Sequence, residues 1–321
     1  MAAAIGLSQR GAGRTGLNPN VGCIIVKHGH IIGRGWTQPG GRPHAEAMAL
    51  AQAGDAAAGA TVYVSLEPCA HESYRGAACT DLLIAARPAR IVAAITDPDP
   101  RTSGKGFAKL SAAGIDIVTG ILPDQAKQAL QGFLSRIVKK RPFVTLKLAT
   151  SLDGAIAMAD GTSRWITGDA ARAHAHIERA RCDAILVGAG TVRADNPALD
   201  VRLPGLEERS PRRIMLSRNN APSNCPKGWE LIHAPADIAG LECNNLLIEG
   251  GAHTASSFIR AGLVDRLILY RAPIFIGGGK LCLADIGLTD LSSAHGKWQL
   301  QDWRALGMDS MEIYKRTSDH G

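Results

Sequence analysis

Apolar positions in the first part of the chain fall into short strand-like runs separated by helical stretches. CIIVKHGHIIGRGW (Cys23 to Trp36) and TVYVSLEPC (Thr61 to Cys69) read as strands, the first folding at a turn over His28 to His30. Between them HAEAMALAQAG (His44 to Gly54) is alanine-rich, carries apolar residues at helical spacing and stops at a glycine, so it predicts a capped helix. DLLIAARP after Cys79 predicts a second helix, RIVAAITD (Arg90 to Asp97) a further strand, and Asp124 to Phe143 a helix running into a basic connector. Beyond it VTLKLA, AILVG, RIMLS, NLLIEGG and RLILYRAPIFIGGG are β-rich runs, with helical character in DAARAHAHIERARC. Alternating helices and strands predict layered α/β sheets, and the connector at Lys140 to Pro142 divides the chain into domains at residues 1–140 and 143–321. No internal repeat interrupts the pattern.

Charge changes this picture little. The net +7 comes from 36 basic and 29 acidic residues spread along the whole chain, which favours anionic small ligands. Aromatics at 4% offer no stacking platform for single strands, so nucleic acid is not an expected partner. Seven cysteines, an odd number in a long chain, fit a reducing cytoplasm. No apolar run approaches the ~18 residues of a membrane helix, and the opening MAAAIGLSQRG lacks the pattern of a signal peptide, so a cytoplasmic protein without a membrane partner is expected. Oligomeric state is left open, a homo-oligomer included.

The strongest chemical signal is His44-Ala45-Glu46 and Glu67-Pro68-Cys69, completed by Cys79. One imidazole and two thiols make a soft donor set suited to Zn²⁺, with a fourth position left for water. Such a zinc lowers the pKa of its water, and Glu46 would shuttle the proton to a departing amino group. H-x-E followed by P-C is the pattern of zinc deaminases that act on nucleobases. Cys79, however, follows Cys69 by ten positions rather than in a C-x-x-C, so the loop AHESYRGAA must fold back on itself. The competing reading is a closed structural site with His71 as a fourth ligand, but Glu46 would have no task there. Upstream, Asn18-Pro19-Asn20 is either an ordinary turn or a source of amide groups, Asn20 above all, for a ribose or ring edge.

Taken whole, the chain resembles the bifunctional riboflavin biosynthesis deaminase/reductase family from about Gly6 to Tyr314. The resemblance rests on NPNVGCIIV, PHAEAMAL, VSLEPCAH with the late Cys79, TDPDP at Thr96 to Pro100, LKLATSLDG, TSRWIT, GTVRADNPALDVR and IEGG. A long interval between the two cysteines is normal in that family, though this loop is one residue longer than usual. It implies a cytidine-deaminase-like three-layer α/β domain followed by a dihydrofolate-reductase-like α/β domain. The first would remove the ring amino group of a phosphorylated diaminopyrimidinone, and the second would reduce its ribosyl group with NADPH; the choice over NADH rests on the resemblance alone. Family pattern assigns Ala149, Trp165, Thr191, Asp195, Ser217 and the run Gly251, Ala252, His253, Thr254, Ala255, Ser256 and Ser257 to the nicotinamide cofactor. It assigns Ser163, Arg179, Leu199, Arg202 and Glu249 to the substrate.

These assignments have physical sense. Arg179 and Arg202 are forks for phosphate, and LLIEGG followed by AHTASSFI is a strand, a glycine turn and a helix start whose N–H groups can meet an anion. Lys147, Asp195 and Glu249 are the polar groups from which a proton source would come, and Lys147 is a further substrate contact. No G-x-G-x-x-G turn supports a Rossmann site. Two other functions compete: a deaminase of nucleic-acid bases, and a binding protein with structural zinc. A chain in which only one half is active is a third alternative.

Overall fold

In a computed structural model, residues 1–71, 75–219 and 227–317 are described. The chain divides into two compact units, Met1–Arg141 and Pro142–Gly321. In the first, α1 (Ala2–Ser8) precedes a hairpin of β1 (Gly22–Lys27) and β2 (His30–Trp36). Lys27 pairs with His30, so His28 and Gly29 alone make the turn; their φ values of 50° and 78° are those a type I′ turn requires. There follow α2 (Ala45–Ala53), β3 (Thr61–Val64), α3 (Cys79–Ala86), β4 (Arg90–Ala93), α4 (Lys105–Ala112), β5 (Asp116–Thr119), α5 (Pro123–Ala129) and α6 (Gln131–Lys139). Among the described residues the strand order is β2-β1-β3-β4-β5, with β1 antiparallel to both neighbours and β3, β4 and β5 parallel.

Small residues set how α2 lies on this sheet. Ala45, Ala49 and Ala53 recur every fourth position and are buried, and facing them on β2 are Gly33 and Gly35. A Cβ on Gly33 would come within 2.3 Å of the Ala49 carbonyl oxygen, and one on Gly35 within 2.0 Å of that of Ala45. The helix backbone therefore rests directly on the strand, which fixes the helix start carrying His44 and Glu46. Ile25, Val62, Val64, Leu83, Ile91 and Leu110 fill the core around it.

The second unit contains β6 (Phe143–Thr150), β7 (Ala155–Ala157), α7 (Asp169–Ala180), β8 (Ala184–Gly188), α8 (Ala189–Asp195), β9 (Arg212–Leu216), β10 (Glu230–Ile232) and β11 (Asn245–Glu249). It continues with α9 (Ala252–Arg260), β12 (Arg266–Arg271), β13 (Lys280–Leu281), β14 (Trp298–Leu306) and β15 (Asp309–Arg316). Eight of these strands form one sheet, in the order β10-β9-β8-β11-β6-β12-β15-β14, parallel from β10 to β12 and antiparallel beyond. All five residues of β8 are buried, as expected of a parallel strand covered on both faces. Alternation along β6 sends Val144, Leu146 and Leu148 into the core with Phe258 of α9. It turns Lys147 and Ala149 to the opposite face, where Ile268 and Tyr270 of β12 pack on Ala171 and Ala175 of α7.

Several elements are shorter than the sequence pattern predicts. The strand expected over Thr61 to Cys69 ends at Val64, and its last backbone bond on the β4 side is made by the Glu67 N–H, ahead of Pro68, which has no N–H to offer. The one from Arg90 ends at Ala93, and RLILYRAPIFIGGG stays in the sheet only to Arg271, before Pro273 and three glycines. The helix expected over Asp124 to Phe143 is two helices meeting at the wholly buried Leu130. Strands β5, β7, β10, β13, β14 and β15 were not expected; β14 lies at the sheet edge and is largely exposed, so its sequence lacks an apolar run. Among the described residues no helix is long and apolar enough to cross a membrane.

Candidate active sites

In the first unit three loop-to-element junctions converge. His44 is the N-cap of α2, Cys69 lies beyond the end of β3, and Cys79 opens α3. Their donor atoms all lie within 4.8 Å of one another. His44 Nδ1 is 3.2 Å from Cys79 Sγ and 3.6 Å from Cys69 Sγ. Metal bonds of about 2.0 Å to nitrogen and 2.3 Å to sulfur give a tetrahedron with edges of roughly 3.3 to 3.8 Å, so the donors have the spacing and chemistry for zinc. The Cys79 N–H donates to Cys69 Sγ at 3.3 Å. Hydrogen bonding from Cys79 is the main cause that pulls the Cys69 thiol down to about 4, against its burial and with help from His44.

His71 stands outside this cluster: its Nδ1 is 3.3 Å from Thr102 Oγ1. Among the described residues the cluster thus has three protein donors, the number of a catalytic rather than a structural site. Residues 72–74 of the Cys69 to Cys79 loop lie outside the described residues. Glu46, in the first turn of α2, is buried beside the thiols, and burial pushes its carboxyl above the usual carboxylate range. Asn20 is buried, and its Nδ2 donates to the carbonyls of Ser8 (3.3 Å) and Ala129 (3.1 Å). Within TDPDP, Asp97 and Asp99 are buried, and Asp97 is pushed up to about 6, mainly by burial.

In the second unit a cavity of about 250 Å³ opens over the C-terminal ends of β6 and β12, against α7. Lys147, Ala149, Ser163, Trp165, Arg179, Asp195 and Arg202 all line it. Glu249 lies beside them at the end of β11 and binds Arg179 bidentately, accepting from Nε at 2.7 Å and Nη2 at 2.8 Å; Lys147 Nζ is 3.7 Å away. Burial opposes the Glu249 charge, but the two cations outweigh it and hold the carboxyl down at about 2. Arg179 Nη1 also donates to the Asp200 carbonyl at 3.0 Å. Three of the five guanidinium donors are thereby engaged, which leaves two N–H groups rather than a whole fork.

The remaining assigned residues are differently placed. Leu199 is buried in the core with φ 53°, so its side chain packs among apolar neighbours. Ser217 is also buried, its hydroxyl accepting from the Asn219 N–H at 3.3 Å, and Thr191 is half-buried on α8. Gly251 is the N-cap of α9, whose first N–H groups have no partner within the helix. Ala255 is core, the Ser256 hydroxyl bonds to Ala284, and that of Ser257 donates to the Thr254 carbonyl. Sequence reasoning missed Arg172, His176 and Tyr270, which also line the cavity. Arg172 stacks its guanidinium 4.8 Å from the centre of the Trp165 ring, and Tyr270 OH is 2.7 Å from His174 Nδ1. Spacing could have found His176, which precedes Arg179 by three on α7 and so shares its face.

Residues 1–95 match the cytidine and deoxycytidylate deaminase zinc-binding region, and residues 142–229 and 236–311 match the RibD C-terminal domain. The chain is 38% identical to riboflavin biosynthesis protein RibD of Escherichia coli, over 96% of both chains, and 39% identical to that of Mycobacterium tuberculosis, over 96% and 94%. Two solved structures are similar throughout. Acinetobacter baumannii RibD has a TM-score of 0.88 at 36% identity, covering 99% of this chain and 98% of that one. A diaminohydroxyphosphoribosylaminopyrimidine deaminase/5-amino-6-(5-phosphoribosylamino)uracil reductase of Thermotoga maritima has a TM-score of 0.89 at 32% identity, covering 99% and 97%. Over both units the chain therefore belongs to the RibD family of bifunctional riboflavin biosynthesis enzymes, pairing a zinc-binding deaminase with an NADPH-using reductase.

Proposed function

We propose that residues 1–140 hydrolyse the ring amino group of 2,5-diamino-6-ribosylamino-4(3H)-pyrimidinone 5′-phosphate. Residues 143–321 then reduce the ribosyl group, giving 5-amino-6-ribitylamino-uracil 5′-phosphate. The observation that carries the first step is the meeting of three soft donors with a buried carboxyl. When bound, zinc supplies Lewis acidity and NADPH supplies the hydride. His44, Cys69 and Cys79 hold the metal. Glu46 takes a proton from the attacking water and delivers it to the nitrogen, which leaves as ammonia. Asn20 Oδ1 is the weaker contact, to the ribose or ring edge.

In the reductase unit Arg179 and Arg202 bind the substrate phosphate, with Ser163, the Leu199 backbone and Lys147 completing its contacts and Glu249 holding Arg179 and Lys147 in place. Ala149, Trp165, Thr191, Asp195, Ser217 and Gly251 to Ser257 line the cofactor, the last run through the N–H groups that open α9. The protein works in the cytoplasm on a small phosphorylated pyrimidine, without nucleic acid or membrane. The test is to supply the diaminopyrimidinone ribosylamino phosphate with and without NADPH. Ammonia without NADPH, then loss of nicotinamide absorbance on its addition, is the expected result. No ammonia would refute the substrate assignment, and ammonia without NADPH consumption the reductase assignment.

A further inference from the structure

Glu67 lies in the metal-site motif, yet neither zinc binding nor proton transfer uses it. Strand β3 ends at Val64; the Ser65 and Glu67 N–H groups still donate to the carbonyls of Gly22 and Ile95, at 3.0 Å each, but Pro68 contributes no N–H, so the backbone's hold on this edge stops two residues short of Cys69. Glu67 is buried at 3% exposure. Its Oε2 accepts from the N–H groups of Asp97 (3.1 Å) and Gly104 (3.0 Å), and its Oε1 from those of Gly106 (2.9 Å) and Phe107 (3.2 Å). Gly106 and Phe107 are the second and third residues of α4, whose N–H groups have no partner within the helix. The joint is tight: a Cβ on Gly106 would lie 2.3 Å from the Pro68 carbonyl oxygen.

We propose that Glu67 is a positioning residue of the metal centre, clamping the Glu67-Pro68-Cys69 turn to the 97–107 segment so that Cys69 is in place before metal arrives. The long interval between the thiols makes this clamp more consequential, because closing that loop costs chain entropy that a fixed Cys69 end reduces. Glu67→Gln keeps the side-chain volume but turns an NH₂ towards two N–H donors. The inference rests on the reading of His44, Cys69 and Cys79 as zinc ligands.

Zinc affinity of the full-length Glu67→Gln protein, measured by competition with a chromophoric chelator, is expected to weaken by about 10 to 100-fold. Amide exchange at Gly104, Gly106 and Phe107 should accelerate, and the lost ammonia release should return as free zinc is raised. Wild-type zinc affinity alongside accelerated exchange would make the clamp merely structural and overturn the inference. If Glu67→Gln does not fold, Gly106→Ala strains the same joint with Glu67 intact; unchanged zinc affinity there overturns it equally. Zinc retained by Cys69→Ala would instead refute the ligand reading, and the inference with it.

Discussion

Replacing Glu249 by Gln should destabilise the reductase unit by about 3 kcal/mol at pH 7. Arg179, Lys147 and Glu249 are mostly buried, with side-chain exposures of 13%, 21% and 10%, so the carboxylate is their principal counter-charge. Its pKa falls from 4.5 to about 2, and at about 1.4 kcal/mol per pH unit this gives roughly 3 kcal/mol. Breaking a buried ion pair from one side costs about 3 to 5 kcal/mol, so the two routes agree. Because the folded pKa is depressed, the stabilisation is complete above the unfolded value and is lost as pH falls through the folded one. The gap between wild type and variant should be full above about pH 5.5 and shrink to about half near pH 3. Urea unfolding followed by tryptophan fluorescence reports it, since four of the five tryptophans (Trp165, Trp229, Trp298 and Trp303) lie in this unit. Other carboxylates titrate in both proteins and cancel in the difference. A gap under about 1 kcal/mol at pH 7, or one that stays constant down to pH 3, would refute the argument.

Glu46→Gln should retain zinc but lose deamination by about 10²-fold or more, read as ammonia release; full turnover would remove Glu46 from the chemistry. Cys79→Ala should purify with well under one zinc per chain by atomic absorption, whereas unchanged content would redirect attention to His71. Gly35→Ala places a Cβ 2.0 Å from the Ala45 carbonyl oxygen, so it should cost about 1 to 3 kcal/mol in thermal unfolding of the deaminase unit and lower its zinc content; wild-type behaviour would show that α2 can slide.

What could be read in advance follows the range of the interactions concerned. The metal cluster was legible because each donor sits at a punctuation point that local sequence marks: a helix N-cap at His44, a strand exit before Pro68, a helix start at Cys79. The same reading could not show that Glu67 grips a helix start about forty residues ahead, because an E-P-C triplet looks alike whether its glutamate faces solvent or four N–H groups. In the reductase unit the motifs supplied residue types without partners. Arg179 read as an open fork; its bond to Glu249, seventy residues on, exists because β11 lies beside β6 and α7 crosses that face. Tyr270 lies in a run of strand residues whose facing parity is set by register with β6, where it stands opposite Ala149. A one-residue slip of β12 would send Tyr270 and Ile268 to the other face of the sheet and leave Ala171 and Ala175 of α7 without the side chains that now cover them. The polar face of the cavity is thus selected by the packing of its apolar neighbours, which is why composition and motif alone could name its residues but not assemble them.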